Sequence, residues 1–469
     1  MKSTYTNRRD FLRTSATVAA AGLALPTLIP SSVLGGPQRA SANETVRIGV
    51  IGCGARAQQV VAEGATVKGF HVAAVCDCFQ PRAKTFSKES LAGKAKPYAD
   101  FRTMIEREKL DAVMIETTTH ARAWIAIQAM QAGMDTYIEK PMCLTIAEGR
   151  EMVRAARKYQ RVTQVGTQQR SMPINNWASD LVKNGSLGKV LRVIAPNFVG
   201  PDRWTCQPAQ PMPNGGQDNW WDIWTNQAEL RPYHPLLHFG WDRWWDYDGG
   251  GRGFGVTGWG THSYDQINRA LGTDATGPAE IWLEEPVAVR ETGKFAPQVR
   301  SPGLIGDEDT GKEFHRLAKI TGPRAKVSMR FASGTELQLH LDGDRGPGLG
   351  AIFVCEKGKI EIGRNKIASN PKELVKSPEN PGSNKRHETA YHIENWLDCI
   401  KSRKPCNADI EIGQRASTLC YLVNIVREIG CVGQKLQWDS VAERFTNCDG
   451  ANQFLSRPRR KGYELPEIG

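Results

Sequence analysis

The chain of 469 residues contains no Cys-x-x-Cys pair, and its 11 cysteines are an odd number without framework spacing. Neither a zinc knuckle, a dithiol redox centre nor a disulfide scaffold is indicated, no metal site is expected, and free, mostly buried thiols are the default. No Lys/Arg run is interleaved with aromatics. The one short basic run is Arg457-Pro458-Arg459-Arg460-Lys461, which argues against nucleic acid as a partner. No apolar run reaches the ~18 residues that a bilayer crossing needs, so no stable membrane span is expected, and no internal repeat marks a solenoid. What is present, 40% hydrophobic, 24% charged and 8% aromatic residues with 46 Gly and 26 Pro, is the composition of a globular protein long enough for two or three domains.

The formal charge is +11. Residues 1–42 carry Lys2, Arg8, Arg9, Arg13 and Arg39 against Asp10, so four of those eleven charges belong to the N-terminal segment. That segment reads Asn7-Arg8-Arg9-Asp10-Phe11-Leu12-Arg13, then an apolar stretch from Val18 to Ile29 broken by Pro26, then Ala40-Ser41-Ala42. The charged, apolar, small-residue order is that of a cleavable signal peptide, and the paired arginines resemble a twin-arginine signal. Export to the periplasm or another extracytoplasmic space is therefore expected. The twin-arginine route carries folded proteins, often with a cofactor already loaded.

From Val46 onward short apolar runs alternate with amphipathic stretches. Strands are expected at Val46 to Ile51, Val72 to Cys76, Asp111 to Glu116, Thr136 to Glu139 and Val162 to Val165, with helices between them. Strands buried on both faces and separated by helices predict an α/β Rossmann domain, a doubly wound parallel sheet, over residues 43–166. After Gly166 the rhythm changes. A helix at Ile174 to Lys183 and a strand at Val190 to Phe198 precede a Trp-, Gly- and Pro-rich region. Alternating strands follow, such as Lys326 to Ala332, Glu336 to Asp342, Ala351 to Cys355 and Lys359 to Ile362. This predicts a C-terminal α+β domain with a large open antiparallel sheet over 167–469, with the last segment as a surface wrap.

Gly52-Cys53-Gly54-Ala55-Arg56-Ala57 follows the first strand and opens the first helix. Gly52 permits the tight turn, Gly54 lets the backbone approach a pyrophosphate, and Ala57 allows close helix–strand packing. The free N–H groups of Ala55 and Arg56 at the helix start attract the anion. Asp77, at the end of the second strand, suits both hydroxyls of a ribose and repels a 2′-phosphate. That favours NAD, although Arg82 could pair with the phosphate of NADP. Thr117 and His120 after the Asp111 to Glu116 strand, and Glu139 and Lys140 at the end of the Thr136 to Glu139 strand, fall at the cofactor crevice. A Lys at such a strand end can bind a substrate hydroxyl and offset charge as hydride leaves.

Glu139-Lys140-Pro141, on this fold, resembles the glucose-fructose oxidoreductase / inositol dehydrogenase (Gfo/Idh/MocA) family, and the resemblance covers essentially all of the chain from Val46. It implies that Lys140 lies next to the nicotinamide and that a D-x-x-x-H motif of the second domain supplies an acid/base His. Here that motif reads Gly258-Trp259-Gly260-Thr261-His262, so His262 carries over and the Asp position is glycine. Asp265, three residues on, is expected to orient the His262 ring instead. Gln168, Gln169 and Arg170 after the Val162 to Val165 strand are further substrate-contact candidates. The resemblance also implies a homo-oligomer, a dimer or tetramer.

Eight of the 13 Trp lie between Trp204 and Trp259, interleaved with Tyr233, His234 and several Asp and Arg. Flat rings beside charged hydrogen-bonding groups suit pyranose rings, which makes Tyr233 and His234 substrate-binding candidates. The alternative is aromatic core packing. Three functions follow. The first is an exported sugar, polyol or glycoside oxidoreductase with a tightly bound cofactor, since no free nicotinamide pool is expected outside the cytoplasm. The second is an NAD-dependent glycosidase of no net redox change. The third is a binding protein without catalysis, motivated by Gly258.

Overall fold

The computed structural model describes residues 44–213, 219–251, 253–291, 321–342, 347 and 349–468. Val46–Gly469 forms one compact unit. The expected signal peptide, residues 1–42, lies outside the described residues.

Six strands, β1 (Val46–Ile51), β2 (Phe70–Cys76), β3 (Lys96–Tyr98), β4 (Ala112–Ile115), β5 (Asp135–Ile138) and β6 (Thr163–Val165), form a sheet in the order β3-β2-β1-β4-β5-β6. Every pairing is parallel. Reversal of strand order at β1/β4 opens a crevice at the carboxyl ends of these strands, where α/β sheets bind ligands. Helices cover both faces, so the strands are apolar on both sides and lack alternation. One face packs Val60 and Val61 of the helix Ala55–Gly64 together with Ile393, Trp396 and Leu397 of the helix Glu388–Ser402. Sequence distance does not prevent that late helix from completing the early domain.

The second sheet takes β7 (Val190–Pro196), β8 (Pro278–Leu283), β11 (Val327–Phe331), β12 (Glu336–Leu341), β13 (Ala351–Cys355), β14 (Gly358–Gly363), β15 (Lys366–Asn370), β16 (Leu436–Asp439) and β17 (Arg444–Phe445), while β9 (Ala288–Glu291) and β10 (Thr321–Arg324) form a separate antiparallel pair. Its order is β15-β14-β13-β7-β12-β11-β8-β16-β17. The expected antiparallel pattern holds except at β12/β7, which run parallel, Glu336 opposite Arg192. The sheet is therefore mixed. The final segment is also more than a wrap, because β16 pairs with β8 inside the sheet. The helices Trp259–Leu271 and Ile410–Ile429 back this sheet with Ile267, Leu419, Val423 and Val426 against Ile281 and Val327. Among the described residues no helix is long and apolar enough to cross a membrane.

Trp220, Trp221, Trp224, Tyr233, Leu237, Trp244 and Tyr247 make a third core of their own. Trp221 and Trp224 stack at 4.7 Å, and Trp220 stands edge-on to Tyr233 at 5.8 Å. These rings spend their faces on one another.

Candidate active site

The turn after β1 is shaped by two glycines. Gly52 has φ +91°, and a Cβ there would lie 2.8 Å from the backbone of Glu116 and Thr117, so only glycine fits against the neighbouring strand end. Gly54 precedes the helix Ala55–Gly64 without any side-chain cap, and a Cβ there would meet nothing within 4 Å. An uncapped helix start beside open space fits a pyrophosphate. Ala57 is fully buried, seating this helix on the sheet. Asp77 accepts the Cys53 N–H at 3.0 Å and the Phe79 N–H at 3.0 Å. With about four acceptor positions on a carboxylate, it retains capacity for a ribose hydroxyl.

Two adjacent strand ends then bring carboxylates and cations together. Arg56 Nε donates to Glu139 Oε2 at 3.2 Å. Burial would raise Glu139, but Arg56, Lys140 and Arg122 outweigh it and hold the carboxyl below its ordinary value. Glu116 behaves oppositely. Burial, reinforced by the charge of Glu139, pushes it up to about 8, and both its oxygens are buried without a hydrogen-bond partner. Orphaned polar atoms of this kind are costly unless a ligand completes them. Burial pulls the Lys140 ammonium below its usual range, opposed by Glu139.

His262 enters from the second domain in the first turn of the helix Trp259–Leu271. It is 5% exposed and its Nδ1 has no partner. Burial, then the charges of Arg364, Lys140 and Arg56, keep the imidazole well below its ordinary value, hence neutral and able to accept a proton. Gly258 is excluded from carrying any side chain: a Cβ would meet the Gly251 carbonyl oxygen at 2.4 Å and that of Gly253 at 2.7 Å. The missing aspartate is thus a property of the local backbone. A different carboxylate stands nearby, because the fully buried Asp248 accepts hydrogen bonds from Thr119 and Thr257.

Of the other sequence-derived candidates, Thr117 stays against the Gly52 turn, and the rest are held by partners of their own. Asp265 does not orient His262; it pairs with Arg170 at 2.7 Å, and Arg170 also reaches Asp274. A guanidinium in a buried site outcompetes a neutral imidazole for a carboxylate. His120 is fully buried, its Nε2 2.8 Å from the Trp224 carbonyl oxygen. Tyr233 belongs to the aromatic core, and His234 caps the helix Pro235–Phe239 through the Leu236 N–H. The Thr117 carbonyl accepts from Arg122 at 2.7 Å. Gln168 donates to the Tyr137 hydroxyl at 2.9 Å and Gln169 to the Leu349 carbonyl at 2.9 Å, both inside the domain junction. Glu116, Arg122 and Arg364 enter the site without having been singled out, and Asp248 enters it from among the aspartates of the aromatic segment. For Glu116 and Arg122 the available signal was a charge beside an apolar strand end.

A dinucleotide turn at a strand-order reversal, with a Lys and a neutral His facing it from two domains, defines the class of two-domain NAD-binding oxidoreductases. The chain belongs to the Gfo/Idh/MocA oxidoreductase family: the NAD-binding Rossmann model of that family matches residues 46–167, and its C-terminal alpha/beta model matches 173–294 and 313–465. An inositol 2-dehydrogenase of Salmonella typhimurium is 28% identical over 151 residues, 32% of this chain and 45% of the relative. A glycosyl hydrolase family 109 protein of Solibacter usitatus is 32% identical over 165 residues, 33% of this chain and 37% of the relative. The chain spans less than half the length of these curated relatives. An oxidoreductase of Agrobacterium radiobacter, solved with NAD+, L-tartaric acid and magnesium, shares the fold at 15% identity with a TM-score of 0.53, covering 84% of this chain and 98% of that one.

Proposed function

We propose that the protein is an exported, nicotinamide-dependent oxidoreductase acting on a secondary hydroxyl of a sugar, polyol or glycoside, with NAD held tightly through turnover. The observation that carries this reading is that the buried His262, with its unpartnered Nδ1, responds to the charges of Lys140 and Arg56, the residues at the strand end and helix start that adjoin the Gly52–Gly54 turn. NAD bound there supplies the hydride acceptor. Lys140 binds the substrate hydroxyl and offsets developing charge, while His262 accepts the hydroxyl proton. Glu139, held ionised by Arg56, keeps Lys140 charged enough to serve. The Agrobacterium radiobacter neighbour was solved with NAD+, which supports NAD as the cofactor. Export rests on the residue order of 1–42, and retention of the cofactor follows from the lack of a nicotinamide pool outside the cytoplasm. A homo-oligomer is part of the same reading.

The test starts with full-length protein folded in the cytoplasm, denatured so that released nucleotide is identified by chromatography and mass. Stoichiometric NAD or NADP is expected, as is loss of turnover on a sugar and glycoside panel for Lys140→Ala. A chain that carries no nucleotide and binds none added would overturn the reading. The similarity to glycosyl hydrolase family 109 proteins supports a second reading, glycoside cleavage by oxidation, elimination, hydration and reduction. Product analysis without an added acceptor separates the two: released sugar at the starting oxidation level selects the hydrolase.

A further inference from the structure

Arg82 is held by two partners. Its Nη1 lies 3.6 Å from Asp77 Oδ2, and its Nη2 lies 3.2 Å from His238 Nε2. A guanidinium has only donors, so Nε2 is the unprotonated ring nitrogen. The ring proton is then on Nδ1, which faces the Tyr233 hydroxyl at 3.5 Å. His238 is 3% exposed and belongs to the helix Pro235–Phe239 of the aromatic segment, far in sequence from the nucleotide-binding domain. It sits among Trp220, Trp224 and Phe79. Phe79 in turn meets Trp220 at 5.0 Å. These rings keep water from replacing the Arg82–His238 bond. Burial and the Arg82 charge both keep this imidazole neutral, and so an acceptor.

We propose that His238 is a positioning residue that sets the choice between NAD and NADP, by fixing the Arg82 guanidinium on Asp77 and away from a 2′-phosphate. The proposal rests on the dinucleotide reading of the site. Asp77 and Arg82 have opposite preferences for the ribose: the carboxylate accepts a 2′-hydroxyl and repels a phosphate, whereas a free guanidinium at this distance would pair with the phosphate. Sequence alone leaves that contest open. In the structure Arg82 is neutralised by Asp77 on one side and occupied by His238 on the other. Without the histidine acceptor, one partly buried N–H group of the guanidinium loses its partner, and a 2′-phosphate becomes the best replacement.

The full-length chain and its His238→Phe, His238→Ala, His238→Gln and Arg82→Ala/His238→Phe variants are each equilibrated with an equimolar excess of NAD and NADP until the bound ratio is constant. The protein is then desalted and denatured, and the released nucleotides are quantified. The wild type and His238→Gln, whose amide oxygen still accepts from Arg82, are expected to carry mainly NAD. The two non-accepting variants should raise the NADP:NAD ratio by about tenfold, the value of one charged hydrogen bond. The double variant should return to the wild-type ratio, since the phosphate partner is gone. An unchanged ratio in nucleotide-loaded His238→Phe or His238→Ala, or an equal shift in His238→Gln, would overturn the role of His238 alone. A wild-type chain that takes up neither nucleotide overturns the dinucleotide reading and this proposal with it.

Discussion

Thr119 Oγ1 donates to Asp248 Oδ2 at 2.5 Å across 129 positions of sequence, and this bond joins the two halves of the candidate site. Thr119 opens the helix after β4, Asp248 ends the aromatic segment, and Thr257 donates to the other carboxylate oxygen. Arg122 Nη1 donates to Thr119 at 3.1 Å and so carries a positive charge toward the same carboxylate. The fixed network lies beside Lys140, whose titration responds to Asp248.

Burial raises Asp248 from 3.8 to about 6, the two threonine hydroxyls only partly opposing it. A carboxyl raised on folding costs nothing below the unfolded value, where both states are protonated. Its cost grows as pH rises through about 4 to 6 and is complete above the folded value, at roughly 3 kcal/mol for a shift of this size. Asp248→Asn lacks this cost. The stability of wild type relative to Asp248→Asn should therefore fall by roughly 2–3 kcal/mol between pH 4 and 7. Urea unfolding of both proteins across that range checks it, and a flat difference would show that Asp248 does not titrate abnormally.

Arg170 is paired on two sides, with Asp265 at 2.7 Å and Asp274 at 2.5 Å. Asp265 is itself pushed up to about 6 by burial even with Arg170 beside it. Arg170→Met leaves that carboxylate buried without a counter-charge and should cost about 3–5 kcal/mol. Asp274→Asn, at the more exposed partner, should cost under about 1 kcal/mol. Because Arg170 is buried between Asp265 and Asp274 and is not among the charges that act on Glu139 or Lys140, nucleotide affinity of any folded Arg170→Met protein should stay within about twofold of wild type, which titration calorimetry would measure.

The contrast between these residues and the nucleotide turn shows what a sequence can convey. Gly52, Gly54 and Asp77 were legible because a strand, a turn and a helix start specify them locally, and their partners are the adjacent strand ends. The parallel class of the first sheet follows from the same short-range alternation, but its edge strand β3, only three residues long, was too short to show in it. The parallel β7/β12 pair was not legible, since it joins segments with the whole aromatic region between them. The partner of Asp265 was likewise hidden: helical spacing points it toward His262, but Arg170 arrives from 95 positions away, and a buried charge pair outweighs proximity along a helix. The tryptophans were legible as a cluster. Whether their faces meet sugar or each other depends on tertiary packing, and Trp221 on Trp224 answers for that pair.

Gly258 and Gly54 should respond to alanine in opposite ways. At Gly258 the added methyl meets two backbone carbonyl oxygens closer than 3 Å, so Gly258→Ala, and Gly258→Asp even more, must displace the Gly251 and Gly253 carbonyls. A loss of about 1–3 kcal/mol or more is expected. At Gly54 the methyl enters open space and φ is −74°, so stability should change by less than about 1 kcal/mol. The same open space is where a pyrophosphate would approach, so Gly54→Ala should lose at least about tenfold in nucleotide affinity. Thermal melts with and without NAD separate the two effects.

The three arginines of the basic run near the C-terminus are engaged within the fold. Arg457 lies 4.2 Å over the Trp245 ring, Arg459 pairs with Glu148, and Arg460 pairs with Asp222. Arg460 also donates to the Asn226 carbonyl at 2.7 Å and to the Asp222 carbonyl at 3.0 Å. These carbonyls belong to the last turn of the helix Trp220–Thr225 and its end, where cationic donors stabilise the unpaired oxygens. The Tyr463 hydroxyl adds a bond of 2.9 Å to the Asp222 carboxylate. A helix of six residues cannot persist by itself, so this tail should govern the order of the aromatic segment. Arg460→Ala is expected to cost about 1–3 kcal/mol, with amide exchange accelerated first across Trp220–Thr225. Removing residues 457–469 should add the loss of the Arg459–Glu148 pair and expose Trp245, seen as a red-shifted tryptophan emission. Uniform exchange along the chain in Arg460→Ala would instead show that the helix is held by its tryptophans alone.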